Sequence, residues 1–167
     1  MALYRTVNLT FWTDSKVVDE FSPEDKYFYL YCLTNPHTNL CGCYEISKKQ
    51  MAMELGYSID TILVLLERFE NVYKLIKLSK ETNELLILNW YKYNWTTSPK
   101  FRKPLQAEIA NIKDKRFREY LTKLEQNGVV SIRYRYGIDT VAIHLLLILL
   151  LILILLLILI LYIIKKK

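Results

Sequence analysis

The sequence predicts a mainly α-helical protein with a small β-hairpin, followed by a C-terminal hydrophobic helix. Two short helical segments meet at Gly56-Tyr57, which is the pattern of a helix-turn-helix. Two β-like runs, residues 75–78 and 85–90, follow directly, and the polar residues between them predict a hairpin. A helix-turn-helix followed at once by a hairpin has the element order of a winged helix-turn-helix, which is the fold that we expect.

The first predicted helix follows an extended segment. Residues 3–12 mix β-branched and aromatic side chains and predict a strand or an extended arm. Ser22 then predicts a helix start, because it can cap the helix while Pro23 suits the first turn and Asp25 stands at capping-box spacing. The helix is expected to end near residues 33–36, and a short extended piece is expected over residues 39–44.

The two helices of the helix-turn-helix are marked by their caps. Ser47 predicts the start of the second helix, with Gln50 at the capping-box position, and Gly56 predicts its end. Ser58 predicts the start of the third helix. The expected buried stripe of that helix consists of Ile59, Ile62, Leu63, Leu66 and Phe69.

A fourth helix is predicted to begin at Lys103-Pro104 and to end at Asn127-Gly128. Its expected apolar side consists of Leu105, Ile109, Ile112, Phe117, Tyr120, Leu121 and Leu124. The predicted organisation is a winged helix-turn-helix with an N-terminal arm over 1–98, a basic amphipathic helix over 99–128, a linker over 129–142, a hydrophobic tail over 143–164 and a basic end over 165–167.

The charge of the chain is clustered. Lys and Arg total 23 against 17 Asp and Glu, a formal net charge of +6. Residues 100–118 hold seven basic side chains against Glu108 and Asp114. Such a cluster is what a phosphate-contacting surface needs, although a solvated helix face has the same pattern. Three cysteines, an odd number, and the lack of a signal peptide predict a cytoplasmic protein.

The helix-turn-helix predicts binding to duplex DNA, because its second helix can present side chains to the major groove. Lysines at the start of the first helix suit phosphate contacts, since amide groups and cations converge there. The candidate DNA-binding residues are Lys48, Lys49, Gln50, Tyr57, Ser58, Asp60, Thr61, Arg68, Lys77, Lys80, Lys100, Arg102 and Lys103.

Two features leave alternatives open. In the third helix, the apolar residues Ile59, Leu63, Val64 and Leu65 leave few polar positions for base edges, so a winged helix that binds a protein partner remains an alternative. The aromatic cluster of residues 90–95 could stack single-stranded DNA bases. Such clusters, including that of residues 27–31, more often form the core or a dimer interface, and we favour that interpretation.

No metal, cofactor or catalytic site is predicted. Cys32, His37, Cys41 and Cys43 lie within 12 residues, but the C-x-C spacing argues against a zinc knuckle. A zinc-dependent module is a third alternative that metal bound on purification would reveal. The phosphate-binding loop, the nucleophile elbow and the zinc-protease motif are missing from the sequence, so we expect a protein that is not an enzyme.

Five stretches carry a family resemblance: YRTVNLTFWTDSKVVDEFSPEDKYFYLY, LTNPHTNLCGCYEISKKQMA, GYSIDTILVLLERFENVYKLIK, ETNELLILNWYKYNW and SPKFRKPL. They closely resemble the N-terminal domain of phage replisome organisers, the prophage relatives of DnaD-type replication-initiation proteins. The resemblance covers about residues 2–140 and is nearly continuous.

This resemblance implies a winged-helix domain that binds origin DNA, self-associates and helps to bring in the helicase or its loader. In this family the N-terminal arm and the first helix are associated with self-association, which would involve residues 3–12 and 27–31. Members usually continue through a repetitive linker into a second helical domain. The sequence lacks that domain, so we expect a chain truncated after the N-terminal domain.

The C-terminal tail is atypical. Between Leu145 and Ile164 every residue is Leu or Ile except Tyr162, and three lysines follow. An apolar helix of this length spans a bilayer, so membrane association is one hypothesis, with a membrane-tethered winged-helix regulator as the alternative function. The second hypothesis for the tail is a frameshift. The bases GAT ACT GTT ACT encode Asp-Thr-Val-Thr, and the same bases encode only Ile and Leu when translation starts one base later. Residues 137–141 look like the start of such a repeat.

Overall fold

In a computed structural model of the chain, residues 4–96, 98–127 and 149–152 are described. The chain divides into two units, Met1–Ser131 and Ile132–Lys167. The first unit is mainly helical and contains a three-stranded antiparallel sheet, which confirms the expected fold class at that level. Its helices are α1 (Pro23–Thr34), α2 (Lys48–Leu55), α3 (Ile59–Glu67), α4 (Trp90–Asn94), α5 (Pro99–Ala110) and α6 (Lys115–Gln126).

The N-terminal segment differs from the expected strand. It contains a 3-10 helix, Leu9–Trp12, and a π-helical turn, Lys16–Glu20. The Asn8 side chain accepts a hydrogen bond from the N–H of Thr10 at 3.0 Å, and this cap favours a helical turn over an extended backbone. The segment is anchored to the core by its buried side chains Phe11 and Val17.

The caps predicted for α1, α2 and α3 are confirmed. Ser22 and Asp25 form the reciprocal capping box of α1. Ser47 accepts from the N–H of Gln50 at the start of α2, and Ser58 does the same for Thr61 at the start of α3. These hydrogen bonds satisfy N–H groups that the first turn of a helix leaves unpaired.

The sheet contains the predicted hairpin and one strand more. Its strands are β1 (Cys43–Glu45), β2 (Ile76–Leu78) and β3 (Glu84–Ile87), in the spatial order β1-β3-β2. Both neighbours of β3 are antiparallel to it, with Cys43 opposite Leu86 and Ile76 opposite Ile87. The hairpin strand ends at Ile87, earlier than expected, because Trp90 begins α4 and its indole N–H donates to the Leu40 carbonyl at 2.9 Å.

The predicted fourth helix is wrong in its extent, since two helices, α5 and α6, replace it. α5 begins at Pro99 and contains Pro104, which was expected to open the helix. The chain breaks before α6 because the buried carboxylate of Glu84 accepts from the N–H groups of Lys113 and Asp114, at 2.8 and 2.7 Å. Both helices belong to the same unit as the preceding elements.

The buried stripe of α3 differs in part from the expected one. Ile62, Leu66 and Phe69 are buried as predicted, and Leu65 joins them. Ile59 and Leu63 are exposed, because the apolar run in α3 extends around the helix and only one side of it meets the core.

Only residues 149–152 of the second unit are described, and they are helical and exposed. Within the described parts of the chain, no helix combines the length and the apolar character needed to cross a membrane. The predicted linker over 129–142, the basic end over 165–167 and most of the predicted tail over 143–164 lie outside the described residues.

Candidate nucleic-acid interface

Helices α2 and α3 are joined by a tight turn. Gly56 adopts a left-handed conformation with φ of +73°, and the N–H of Tyr57 donates to the Ala52 carbonyl at 3.0 Å. This geometry ends α2 in the way usual for a glycine C-cap. The ring of Tyr57 also contacts Tyr27 of α1 edge-on, with centroids 6.0 Å apart. The turn therefore holds α3 in place relative to both α2 and α1.

Two lysines stand at the amino end of α2. Lys49 is exposed and Lys48 half-buried, and neither has an ion-pair partner among the described residues. The first N–H groups of a helix and its dipole favour a bound anion at this end. Lys48 and Lys49 therefore provide what a phosphate contact requires.

Gln50 is engaged in a side-chain cluster, and its DNA contact stays a prediction. Its amide nitrogen donates to Glu54 Oε1 at 2.9 Å and lies 2.8 Å from His37 Nε2. Tyr31 also donates to Glu54, at 2.6 Å. Partial burial by itself raises the pKa of Glu54, but hydrogen bonds from Tyr31, Gln50 and His37 outweigh it and hold that pKa below its ordinary value. The cluster connects α1, α2 and the loop between them.

The outer face of α3 is apolar and acidic. Ile59, Leu63 and Val64 are 48%, 41% and 54% exposed. Asp60 and Glu67 are exposed on the same helix, which contains no Lys or Arg. The Ser58 and Thr61 hydroxyls lie 2.9 Å apart in the cap, and Tyr57 is half-buried. This face offers few donors to base edges, so it does not favour readout of a DNA sequence.

Arg68 is held in a salt bridge, and its DNA contact stays a prediction. Its Nη1 lies 2.8 and 3.0 Å from the two carboxylate oxygens of Asp25, a residue of α1 that is 1% exposed. Tyr73 donates to the same carboxylate at 2.9 Å. Because breaking such a pair leaves a buried charge unpaired, Arg68 has a structural role.

The pKa of Asp25 reflects this environment. Burial by itself raises the pKa, but hydrogen bonds from Ser22 and Tyr73 and the charge of Arg68 outweigh burial and lower it. Asp25 is therefore an anion at neutral pH and needs the charge of Arg68.

The remaining predicted cations divide into paired and unpaired ones. Lys77 on β2 lies 3.5 Å from Glu70, and Arg102 on α5 pairs with Glu125 of α6. Lys80 in the hairpin turn and Lys100 and Lys103 on α5 are exposed and have no ion-pair partner among the described residues. The unpaired set that remains available to phosphates is Lys48, Lys49, Lys80, Lys100 and Lys103.

The candidate zinc ligands occupy different environments. Cys32, Cys41 and Cys43 are buried, and burial raises the pKa of Cys41 to about 12, so its thiol stays protonated. His37 contacts Gln50 and Glu54 instead of a cysteine. Among the residues that the structure describes, no group of three or more His, Cys, Asp or Glu side chains could hold a metal ion.

The aromatic clusters contribute mainly to the core. Phe28 and Tyr29 contact Phe69, with ring centroids 5.1 and 5.5 Å apart. Trp90 and Trp95 are buried, and both indole N–H groups donate to the Leu40 carbonyl. This placement supports the core interpretation over base stacking for these four residues.

The sequence analysis did not identify Asp25 and Glu108 as residues that bind distant segments of the chain. Glu108 of α5 accepts from the N–H groups of Leu40 and Cys41, at 2.7 and 3.1 Å. Asp25 was expected only as a capping residue, and no local signal pointed to Arg68 as its partner 43 positions away.

Comparisons of the chain with models of protein families, with curated proteins and with solved structures find no match. The resemblance to phage replisome organisers therefore stays a prediction.

Proposed function

We propose that the first unit is a winged helix-turn-helix that binds duplex DNA through its phosphates and discriminates weakly between base sequences. The element order α1-β1-α2-α3-β2-β3 supports this, because β1 pairs with β3 and closes the sheet beside the hairpin. The hairpin between β2 and β3 is then the wing, and α3 is the helix presented to the major groove.

The observation that carries the proposal is the pair of unpaired lysines at the amino end of α2. Lys48 and Lys49 combine two positive charges with the N–H groups of a helix start, and both features attract a phosphate. Lys80 adds an unpaired charge at the tip of the wing. In contrast, the apolar and acidic outer face of α3 supplies little base readout, so the binding energy comes mainly from phosphate contacts.

The biological role within this proposal is the initiation of phage or prophage DNA replication. This role includes self-association and the recruitment of a helicase or its loader, and all of it rests on the resemblance of residues 2–140 to replisome organisers. The exposed side chains of Leu9 and Trp12 in the N-terminal segment support self-association, because isolated apolar side chains of this size gain from burial. Cytoplasmic localisation and membrane association through residues 143–164 stay predictions.

The test is fluorescence anisotropy of the 167-residue chain with duplex DNA over a series of salt concentrations. The variant Lys48→Ala/Lys49→Ala should bind more weakly, and the slope of log affinity against log salt should become shallower by about 2, since each lost phosphate contact contributes about 0.9. The matched control, Lys26→Ala/Lys123→Ala, removes the same charge outside the proposed surface and should retain the slope of the unmodified chain.

Two results would contradict the proposal. One is no DNA binding by the unmodified chain at low salt, and the other is an equal change of slope in both variants, which would indicate a general charge effect.

The exposed Ile59, Leu63 and Val64 favour a second candidate, a protein-interaction module in which α3 packs against a second copy of the chain. In that case Val64→Glu should shift the sedimentation coefficient towards the monomer while the salt slope stays unchanged.

A further inference from the structure

A cavity of about 380 Å³ lies beneath the N-terminal segment, away from α2 and α3. Its walls come from that segment, from α1, from the end of the sheet and from α4, and they include Phe11, Tyr29, Ile87, Trp90 and Tyr93. The volume is within the range of about 300–1,000 Å³ that is usual for small-molecule sites. The cavity is therefore large enough for a small organic ligand.

Tyr29 presents an unpaired hydroxyl to this cavity. Its side chain is only 9% exposed, yet its hydroxyl makes no hydrogen bond with any described residue. The two other buried phenols are paired, Tyr44 to the Cys32 carbonyl at 2.8 Å and Tyr73 to Asp25 at 2.9 Å. No fully enclosed side-chain oxygen or nitrogen of the described residues lacks a partner, so the Tyr29 hydroxyl is not fully enclosed, and the Tyr29 side chain lines the cavity. Because buried polar groups are normally paired, this hydroxyl is available to a ligand.

Several further polar side chains line the cavity, among them Asp14, Asn89 and Lys16. Asp14 accepts from the Lys16 N–H with Oδ1, and its Oδ2 has no partner among the described residues. The Asn89 side chain likewise has no hydrogen bond to a described residue. In contrast, the Lys16 ammonium group donates to the Tyr73 carbonyl at 3.2 Å and is engaged. The available groups thus include a phenol, a carboxylate oxygen and a carboxamide.

These groups together favour a ligand that both donates and accepts hydrogen bonds. Burial, together with the nearby Cys32, Tyr93 and Asp14, raises the pKa of Tyr29 well above its ordinary value, so the phenol stays neutral and can donate. The carboxylate of Asp14 supplies an acceptor beside aromatic walls. The Phe11 and Tyr29 rings in those walls lie within 27° of parallel, with centroids 6.2 Å apart.

We propose that this cavity binds a planar, amino-bearing heteroaromatic molecule of the nucleobase class. Its ring packs among Phe11, Tyr29 and Trp90, its amino group donates to Asp14, and a ring nitrogen accepts from the Tyr29 hydroxyl. A free base or nucleoside and an unpaired base of a nucleic acid strand carry the same chemistry. This site is separate from the phosphate contacts of Lys48 and Lys49 and does not depend on them.

The test is equilibrium dialysis of the 167-residue chain against labelled adenosine. The unmodified chain should bind saturably, and Tyr29→Phe should weaken binding about ten-fold, which corresponds to one lost hydrogen bond at a buried site. Asp14→Asn should weaken adenosine binding and reduce the preference for adenosine over purine riboside, which lacks the amino group. Tyr120→Phe, outside the cavity, is the matched control and should bind as the unmodified chain does.

A competition with single-stranded oligo(dA) distinguishes the two sources of the base. If oligo(dA) displaces adenosine, the ligand is an unpaired base of a strand, and if it does not, the ligand is a free base or nucleoside. Tyr29→Phe retains the ring, and its circular dichroism spectrum shows whether the fold is intact. The proposal is overturned if neither adenosine nor oligo(dA) binds the unmodified chain, or if folded Tyr29→Phe and Asp14→Asn both bind adenosine as tightly as the control.

Discussion

Asp25 links α1 to the segment that follows α3. Its carboxylate accepts from the Ser22 N–H at the start of α1, from Tyr73 before the hairpin and from Arg68 after α3. One buried anion thus links the first helix to the helix-turn-helix. Such a group is satisfied only when all of its partners are in place, so it favours one arrangement of these elements.

Replacing Asp25 should therefore be costly. Asp25→Asn should lower the free energy of unfolding by about 1–3 kcal/mol, because it weakens the hydrogen bonds from Ser22 and Tyr73 and removes the counter-charge of Arg68, whose side chain is 38% exposed and keeps part of its hydration. Urea denaturation followed by circular dichroism measures this change. Asp19→Asn, at an exposed position, is the control and should change the free energy by less than about 0.5 kcal/mol.

The stability of the unmodified chain and that of Asp25→Asn should also differ in their dependence on pH. The pKa of Asp25 is lower in the folded chain than its ordinary value of 3.8, so its contribution is present above that value and is lost as pH falls through the folded pKa. The unmodified chain should thus lose stability below about pH 5 more steeply than Asp25→Asn. Equal slopes for the two proteins would show that Asp25 is not coupled to folding in this way.

At the scale of the elements, two glycines connect helices and strands in the left-handed conformation. Gly42 precedes β1 with φ of +76°, and Gly56 ends α2 with φ of +73°. Their surroundings differ, because a Cβ at Gly42 would lie 2.2 Å from Cγ of Trp90, whereas a Cβ at Gly56 would have no neighbour within 4 Å. The two positions thus separate backbone strain from steric overlap.

Alanine at these positions should have unequal effects. Gly56→Ala should destabilise the chain by about 1–2 kcal/mol, the cost of a left-handed non-glycine residue. Gly42→Ala should lower the free energy of unfolding by a further amount of about 1–3 kcal/mol, because the buried Trp90 ring must move away. Thermal unfolding of both variants gives the comparison. Similar midpoints would indicate that Trp90 adjusts without loss of its hydrogen bond to Leu40.

The helix starts and the helix break illustrate how far local patterns extend. The caps Ser22, Ser47 and Ser58 act on N–H groups three residues ahead, so the sequence predicts them well. The break between α5 and α6 depends on Glu84, a residue of β3 about thirty positions earlier. A continuous apolar pattern across residues 105–124 therefore predicted one helix where the fold has two.

At the scale of the whole molecule, α5 and α6 complete the core of the first unit. Leu105 and Ile109 of α5, Phe117 and Leu121 of α6, and Ile112 between the two helices are buried in the same cluster as the sheet and α1–α3. Glu108 of α5 accepts a hydrogen bond from the Leu40 N–H before β1, and Glu84 of β3 accepts one from the Asp114 N–H before α6. These bonds link the two helices to the earlier elements. The winged helix-turn-helix predicted over 1–98 thus shares its core with residues 99–127.

Truncation tests this dependence. A chain ending at residue 131 should unfold in one cooperative transition, since it contains the whole first unit. A chain ending at residue 98 should lose its near-ultraviolet circular dichroism signal, because it lacks five buried side chains and exposes the apolar surface that they cover. If the shorter chain retained that signal and a cooperative transition, α5 and α6 would be dispensable for the core.

The sequence by itself determined the features that arise within a few residues: the caps of α1, α2 and α3, the turn at Gly56, the hairpin between β2 and β3 and the mainly helical class. Only the tertiary structure decided which cations are free for phosphates. Arg68 looks available in the sequence but pairs with Asp25 of α1, and the amide of Gln50, which looks equally available, donates to Glu54 on the same helix. The tertiary structure also created the cavity at Tyr29. The physical reason is that backbone caps and turns are short-range, whereas the partner of a buried charge or hydroxyl is set by the packing of distant segments.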